Sequence, residues 1–348
     1  MNLHTILLIP SLCLAAGATL SAAQADPAVD KAGAYRVLTS YPVGGDGGWD
    51  LLAIDPDARR LYIARSTRAM VVDADTGKVI GEIAGSGVHG IAVVPDTNRG
   101  FITNGTENTV TIFDLKTLAV VGHAKTGEKP DAIIYDPASK QVFVCNNGGS
   151  SLTVLAPADG KVLGTIEVGG APELVTVDGA GRLYTNLEDK NEVGVVDTLG
   201  LKALARWPLK PGEGPSGIAV DAAHHRVFSV CHDSKTMEVF NADSGKVIAS
   251  LPIGAGADGA AFDPTTGNVF SPNGDGTLTV IHEDSPDVYT VAQTATTKPG
   301  ARTITLDAKT GRLYLVSAER KPLGGVDSSK KRRPEYLPNT FVVLVVGR

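Results

Sequence analysis

The sequence predicts an all-β chain folded as a seven-bladed β-propeller. Three observations carry that expectation. One short segment recurs seven times along the chain. Each recurrence is followed by further strand-like runs. The two ends of the chain supply complementary parts of a single blade.

The recurring segments are WDLLAIDP from Trp49, VHGIAVVP from Val88, PDAIIYDP from Pro130, PELVTVDG from Pro172, PSGIAVDA from Pro215, ADGAAFDP from Ala257 and ARTITLDA from Ala301. Their second residues are Asp50, His89, Asp131, Glu173, Ser216, Asp258 and Arg302, spaced 39, 42, 42, 43, 42 and 44 residues apart. A period near 42 is the length of one four-stranded propeller blade. A second strand follows each segment, as in RLYIAR, QVFVCNN and RVFSVCHD, then a third such as TVTIFD, then a turn and a fourth such as KVIGEIAG. Gly, Asp, Asn and Pro stand between these runs, and no stretch of 12 or more residues has helical periodicity. At the C-terminal end, Thr340–Val346 is a third strand without a fourth. At the N-terminal end, YRVLTSYPV from Tyr35 is a fourth strand without a blade. Pairing the two closes the ring and removes two exposed edges.

Composition narrows the function classes. The chain has 348 residues, with 32 Lys and Arg against 38 Asp and Glu, a net charge of −6. A broad basic stripe for nucleic-acid phosphates does not fit that balance, so no nucleic-acid partner is expected. Residues 1–25 read as a signal peptide: Ile6–Leu20 is apolar and short, and Ser21–Ala25 ends in a small-x-small cleavage pattern, although the segment has no Lys or Arg before its apolar run. Residues 26–348 then form one propeller domain, with a loop insertion over 320–339, in a periplasmic or secreted protein with no transmembrane segment. A monomer is expected. Cys145 and Cys231 remain after cleavage; in an oxidising compartment the pair could bridge, but they read rather as two buried thiols.

Over about residues 34–348, FITNGTENTVTIFD and KPDAIIYDP resemble the YVTN-type repeat of the secreted YncE-like β-propeller family. The resemblance implies fold and compartment. It implies no single activity, since propellers host ligand binding, catalysis and protein docking alike.

Chemistry is expected where the first strand of each repeat begins and the second ends, because chain alternation places both on one face of the ring. That face collects the seven second-position residues and a further set, Arg65, Asn104, Asn146, Asn147, Glu188, His232 and Asn273. Carboxylates crowded with His suit a hard or borderline metal ion, so His89, Asp50, Asp131 and Glu173 are candidate ligands of a divalent metal. The same carboxylates could serve as acid and base, as in a metal-assisted lyase or hydrolase. Arg302 suits a carboxylate or phosphate. Asp46 and Trp49 join the candidate ligand-binding set from the loop Gly44–Asp50, whose four glycines let backbone approach a ligand. The full set is Asp46, Trp49, Asp50, His89, Asp131, Glu173, Glu188, His232, Asp258 and Arg302, facing a small molecule or a protein partner. The bland alternative is that wet channel carboxylates cap turns and hold water. His224 and His225 fall in a hairpin turn on the other face and read as solvated. Gly212–Gly217 and Gly254–Gly259 match G-x-G-x-x-G, but each leads into a strand, which excludes a dinucleotide fingerprint. Asp73–Gly77 is one of several recurring hairpin turns.

Overall fold

The computed structural model describes residue 1, residues 33–321 and residues 335–348. The expected signal peptide therefore falls almost wholly outside the described residues, as does the Lys-Lys-Arg-Arg run of the loop insertion at 330–333.

The alternation of short apolar runs with Gly, Asp and Asn turns produces an all-β structure. Among the described residues, 27 strands form six antiparallel sheets. The innermost strands follow one another around a closed cycle: Leu52–Asp55, the second half of Val79–Val94, Pro130–Asp136, Pro172–Val177, Pro215–Asp221, Ala261–Asp263, Ile304–Asp307, and back to Leu52–Asp55. This is a β-propeller. Closure runs through the chain ends: Arg36–Pro42 pairs antiparallel with Val342–Gly347 and supplies the outer strand of the sheet that also holds Arg312–Ser317 and Ile304–Asp307.

The expectation of seven separate blades needs correction. Five sheets stand as separate four-stranded blades, and repeats one and two run together as one seven-stranded sheet. The cause is the strand Val79–Val94, which passes from the outer edge of one repeat to the inner edge of the next without a break. Val88 pairs with Ser66 on one side and with Asn104 on the other, so the ladder never opens.

Burial explains the strand sequences. Second and third strands pack against neighbouring sheets on both faces and are buried along their length, as the apolar run Leu61–Ala64 and the strand Ser151–Leu155 are. Outer strands such as Lys202–Pro208 are almost wholly exposed. Apolar clusters span adjacent sheets, except the one around Tyr62, Ile91 and Phe113, which lies within the seven-stranded sheet. Trp49, Leu61 and Met70 of one sheet, for example, meet Tyr314, Val316, Phe341 and Val343 of another. Cys145 and Cys231 are buried and free, each within such a cluster, and burial pushes the Cys231 thiol up to about 12.

The inner strands approach closely at the axis. A Cβ on Gly217 would lie 2.3 Å from the Gly259 backbone, and one on Gly90 would lie 2.6 Å from the Asp131 carbonyl oxygen. Glycine at these two positions lets the ring close tightly just below the residues that line its mouth.

Candidate ligand site at the channel mouth

Each second-position residue stands where an inner strand begins, so its place at the mouth is set by backbone. Leu51 donates to the His89 carbonyl at 3.2 Å, Thr103 Oγ1 to the Asp131 carbonyl at 2.7 Å, and Thr303 Oγ1 to the Asp50 carbonyl at 3.0 Å. These bonds stitch neighbouring inner strands and turn the Asp50, His89 and Asp131 side chains toward one another. His89 Nδ1 is 2.6 Å from Asp50 Oδ2 and 3.9 Å from Asp131 Oδ1. One ligand atom from each of the three falls within 4.8 Å of the others, near enough for a single metal ion. Glu173 is outside that group. It accepts a hydrogen bond from Asn147 Nδ2 at 3.0 Å.

The electrostatics of the mouth are unusual for carboxylates. Burial, then the charge of Asp50, pushes Asp131 up to about 7, with His89 pulling the other way. Burial, then Asp131, pushes Glu173 up to about 9, with Asp258, Glu188 and Asp50 adding to the rise. Burial lifts Asp258 to about 6 against the pull of Arg302, whose Nε donates to Asp258 Oδ2 at 2.7 Å. The acids raise one another because their charges share one confined opening.

Two cavities meet at His89. One, of about 510 Å³, is lined by Gly48, Trp49, Asp50, Ser66, Arg302 and Tyr336 among others. The other, of about 530 Å³, reaches Lys129, Asp131 and Asn147. Gly87, at φ +63°, borders both. Gly105 faces the imidazole, where a Cβ would come within 3.0 Å of His89 Cδ2.

Other expected residues have different duties. Asn104, Asn146 and Asn273 are buried in their sheets. Each donates through Nδ2 to third-strand hydroxyls: Thr109 and Thr111, Ser151 and Thr153, and Thr277 and Thr279 respectively. Ser216 Oγ is committed to the Ala257 carbonyl at 3.0 Å. Arg65 is fully buried, its guanidinium 3.7 Å above the Phe341 ring, and it donates to the carbonyls of Gly44, Asp46, Gly47 and Gly48. Burial pulls it down to about 10. It thereby holds the glycine-rich loop, in which Gly44, Gly45 and Gly47 adopt positive φ. Asp46 is exposed and engages Arg65 through its carbonyl. Trp49 is buried against Tyr336 and Phe341, with ring centroids at 4.4 and 5.6 Å. His232 Nε2 lies 3.3 Å from Asp233 Oδ1, and its charge helps to lower Asp258. Glu188 is exposed at the start of a short 3₁₀ turn and adds its charge to the acidic field.

Tyr336 is a lining residue that sequence reasoning passed over. It comes from the 320–339 insertion, and a bridge to Arg320 brings it beside Trp49. An aromatic residue in an insertion leaving the mouth face was the available signal.

Known proteins resemble the chain in fold. Among curated proteins none matches. Of the solved structures, Hydrazine Synthase of Kuenenia stuttgartiensis aligns with a TM-score of 0.68 at 19% identity, over 78% of this chain and 92% of that one. Identity that low shows shared architecture alone. Residues 70–182 match the model of the YNCE-like beta-propeller family, which bears out over that stretch the resemblance read from the repeats.

Proposed function

We propose that the chain is a periplasmic or secreted propeller that binds a small, positively charged ligand at the channel mouth. Its ring counts seven repeat units, two of them merged in the seven-stranded sheet. The observation carrying this reading is the pair Asp131 and Glu173, carboxyls that burial and then their acidic neighbours push toward the protonated form near neutral pH. A bound cation would relieve that crowding, and both acids would ionise as it entered. The ligand is a divalent metal ion at Asp50, His89 and Asp131, or an organic ammonium group spanning the acids.

Calorimetric titration at pH 7 in buffers of different ionisation enthalpy tests this. Titration with 1,4-diaminobutane or Mn²⁺ is expected to release protons, and the Asp131→Asn, Glu173→Gln double variant to lose that release. Absence of binding by both cations would sink the reading, as would binding with proton uptake. Secretion is tested separately: N-terminal sequencing of exported material is expected to start at Asp26.

A second reading is metal-assisted lyase or hydrolase chemistry at the same place. The close approach of His89 to Asp50 and Asp131 favours it, since an acid near pKa 7 beside an imidazole suits proton transfer at neutral pH.

A further inference from the structure

The strand ends away from the mouth hold a second cluster of titratable side chains. Asp221 ends the inner strand Pro215–Asp221, and His224 stands in the turn that follows. Glu283 comes from the neighbouring sheet, near the end of Thr277–Ser285. His224 Nδ1 lies 2.7 Å from Asp221 Oδ2 and 3.1 Å from Glu283 Oε1. The carboxylates are buried, with side-chain exposures of 3% and 4%, while His224 is 51% exposed.

Hydrogen-bond accounting leaves Glu283 unsatisfied. A single Nδ1–H can serve one carboxylate, and Asp221 is the closer. Beyond the 3.1 Å approach of His224 Nδ1 to Oε1 and the neighbouring Asp221 carboxyl, neither Glu283 oxygen has a hydrogen-bond donor. Arg226, the adjacent cation, gives its donors to the carbonyls of Pro286, His224 and His225 and to Asp287 Oδ1. The Tyr289 hydroxyl donates to the Pro286 carbonyl. Asp221 Oδ1 is held by the Ala223 N–H at 3.0 Å, which leaves Oδ2 aimed at the cluster. Burying a carboxylate without a donor is costly, and burial together with the charge of Asp221 holds Glu283 above its ordinary range.

We propose that Asp221, His224 and Glu283 form a divalent metal site, of the class that takes Zn²⁺, which staples two neighbouring sheets of the propeller. One imidazole nitrogen and two carboxylate oxygens make a borderline-hard donor set. Ligand atoms around a metal with bonds of about 2.1 Å stand roughly 3.0–3.4 Å apart, so the observed separations need only a slight opening. The exposed side of His224 leaves room for water as a further ligand. Arg226 already ties the same seam through Pro286 and Asp287, and the metal would lock it from inside.

The full chain carrying His89→Ala, which disables the mouth cluster, separates this site from the other. After chelation and removal of chelator, it is expected to bind one Zn²⁺ by calorimetry, with the melting temperature rising as Zn²⁺ is added. Adding Glu283→Gln, which keeps the side-chain shape, is expected to weaken binding at least tenfold. In ring ¹⁵N spectra of the His89→Ala protein, Zn²⁺ is expected to move the His224 Nδ1 resonance, which keeps the test open should the Gln variant fold poorly. Absence of Zn²⁺ binding in His89→Ala overturns the site, as does equal binding with and without Glu283→Gln, or an unmoved His224 resonance. None of these results bears on diamine binding at the mouth.

Discussion

The two ends of the inner strands use the same residue type to opposite effect. Where inner strands finish, Asp55, Asp136, Asp263 and Asp307 each accept backbone N–H groups of the turn that follows, as Asp136 does from Ala138 and Ser139. Where inner strands begin, Asp50, Asp131, Glu173 and Asp258 face one another across the mouth, and three of the four are pushed upward. A carboxylate repeated in sequence and satisfied by its own turn is part of the scaffold. A carboxylate that shares its position with His, Ser and Arg in other repeats, and whose charge is crowded, is poised for a ligand. Asp221 stands between these classes, since it caps its turn through one oxygen and turns the other toward His224.

Scaffold changes should dominate any mutational series. Removing residues 340–348 deletes the strand that carries Arg36–Pro42, so cooperative unfolding is expected to vanish in calorimetric scans; a truncated protein with a sharp transition would refute closure through the chain ends. Gly217→Ala drives a methyl into the Gly259 backbone and is expected to cost about 1–3 kcal/mol in urea titrations. Asp136→Ala strands two turn N–H groups and is expected to cost a similar amount, about 1–3 kcal/mol.

The mouth should respond to pH in the opposite sense from the turns. A carboxyl raised in the folded state binds more protons folded than unfolded, so its stabilising contribution is lost as pH rises. For Asp131, Asp258 and Glu173 that window runs from the ordinary values near 3.8 and 4.5 to about 7, 6 and 9. Asp75 and Asp307, lowered chiefly by Arg59 (in Asp307 against its burial), work the other way and lose stability as pH falls below about 3.8. Stability is therefore expected to decline between pH 5 and 9, and the decline to flatten in Glu173→Gln. An unchanged slope in that variant would mean the mouth acids are not crowded in solution.

How much of this was readable beforehand differs between regions for physical reasons. The repeat period follows from the length of four strands and their turns, so ring and mouth face could be placed from sequence. The shorter first spacing, 39 residues, was the trace of the unbroken strand Val79–Val94, where the outer strand of one repeat becomes the inner strand of the next. Asn104, Asn146 and Asn273 could not be told from mouth residues by position, because a bulge or a turn at a strand end decides which way an amide points. Asn147, one residue beyond Asn146, does reach Glu173. The Glu283 cluster was hidden for another reason: its members come from different repeats, and only the packing of two sheets brings them together.

The smallest expected effect discriminates between two uses of the glycine-rich loop. Sequence reasoning placed Asp46 among the ligand-binding residues, yet its carbonyl, not its exposed carboxylate, meets the buried Arg65 guanidinium. If the loop is held by backbone, Asp46→Ala should change stability by no more than about 0.5 kcal/mol, the range for surface substitutions. Arg65→Met should cost about 1–3 kcal/mol, because the carbonyls of Gly44, Asp46, Gly47 and Gly48 would lose a shared donor at a buried site. Asp46→Ala should likewise leave diamine binding at the mouth unchanged, since Asp46 borders the smaller cavity near Tyr336 and not those that meet at His89. A marked loss of cation affinity in Asp46→Ala would return its carboxylate to the ligand set and extend the acidic field of the mouth across the loop.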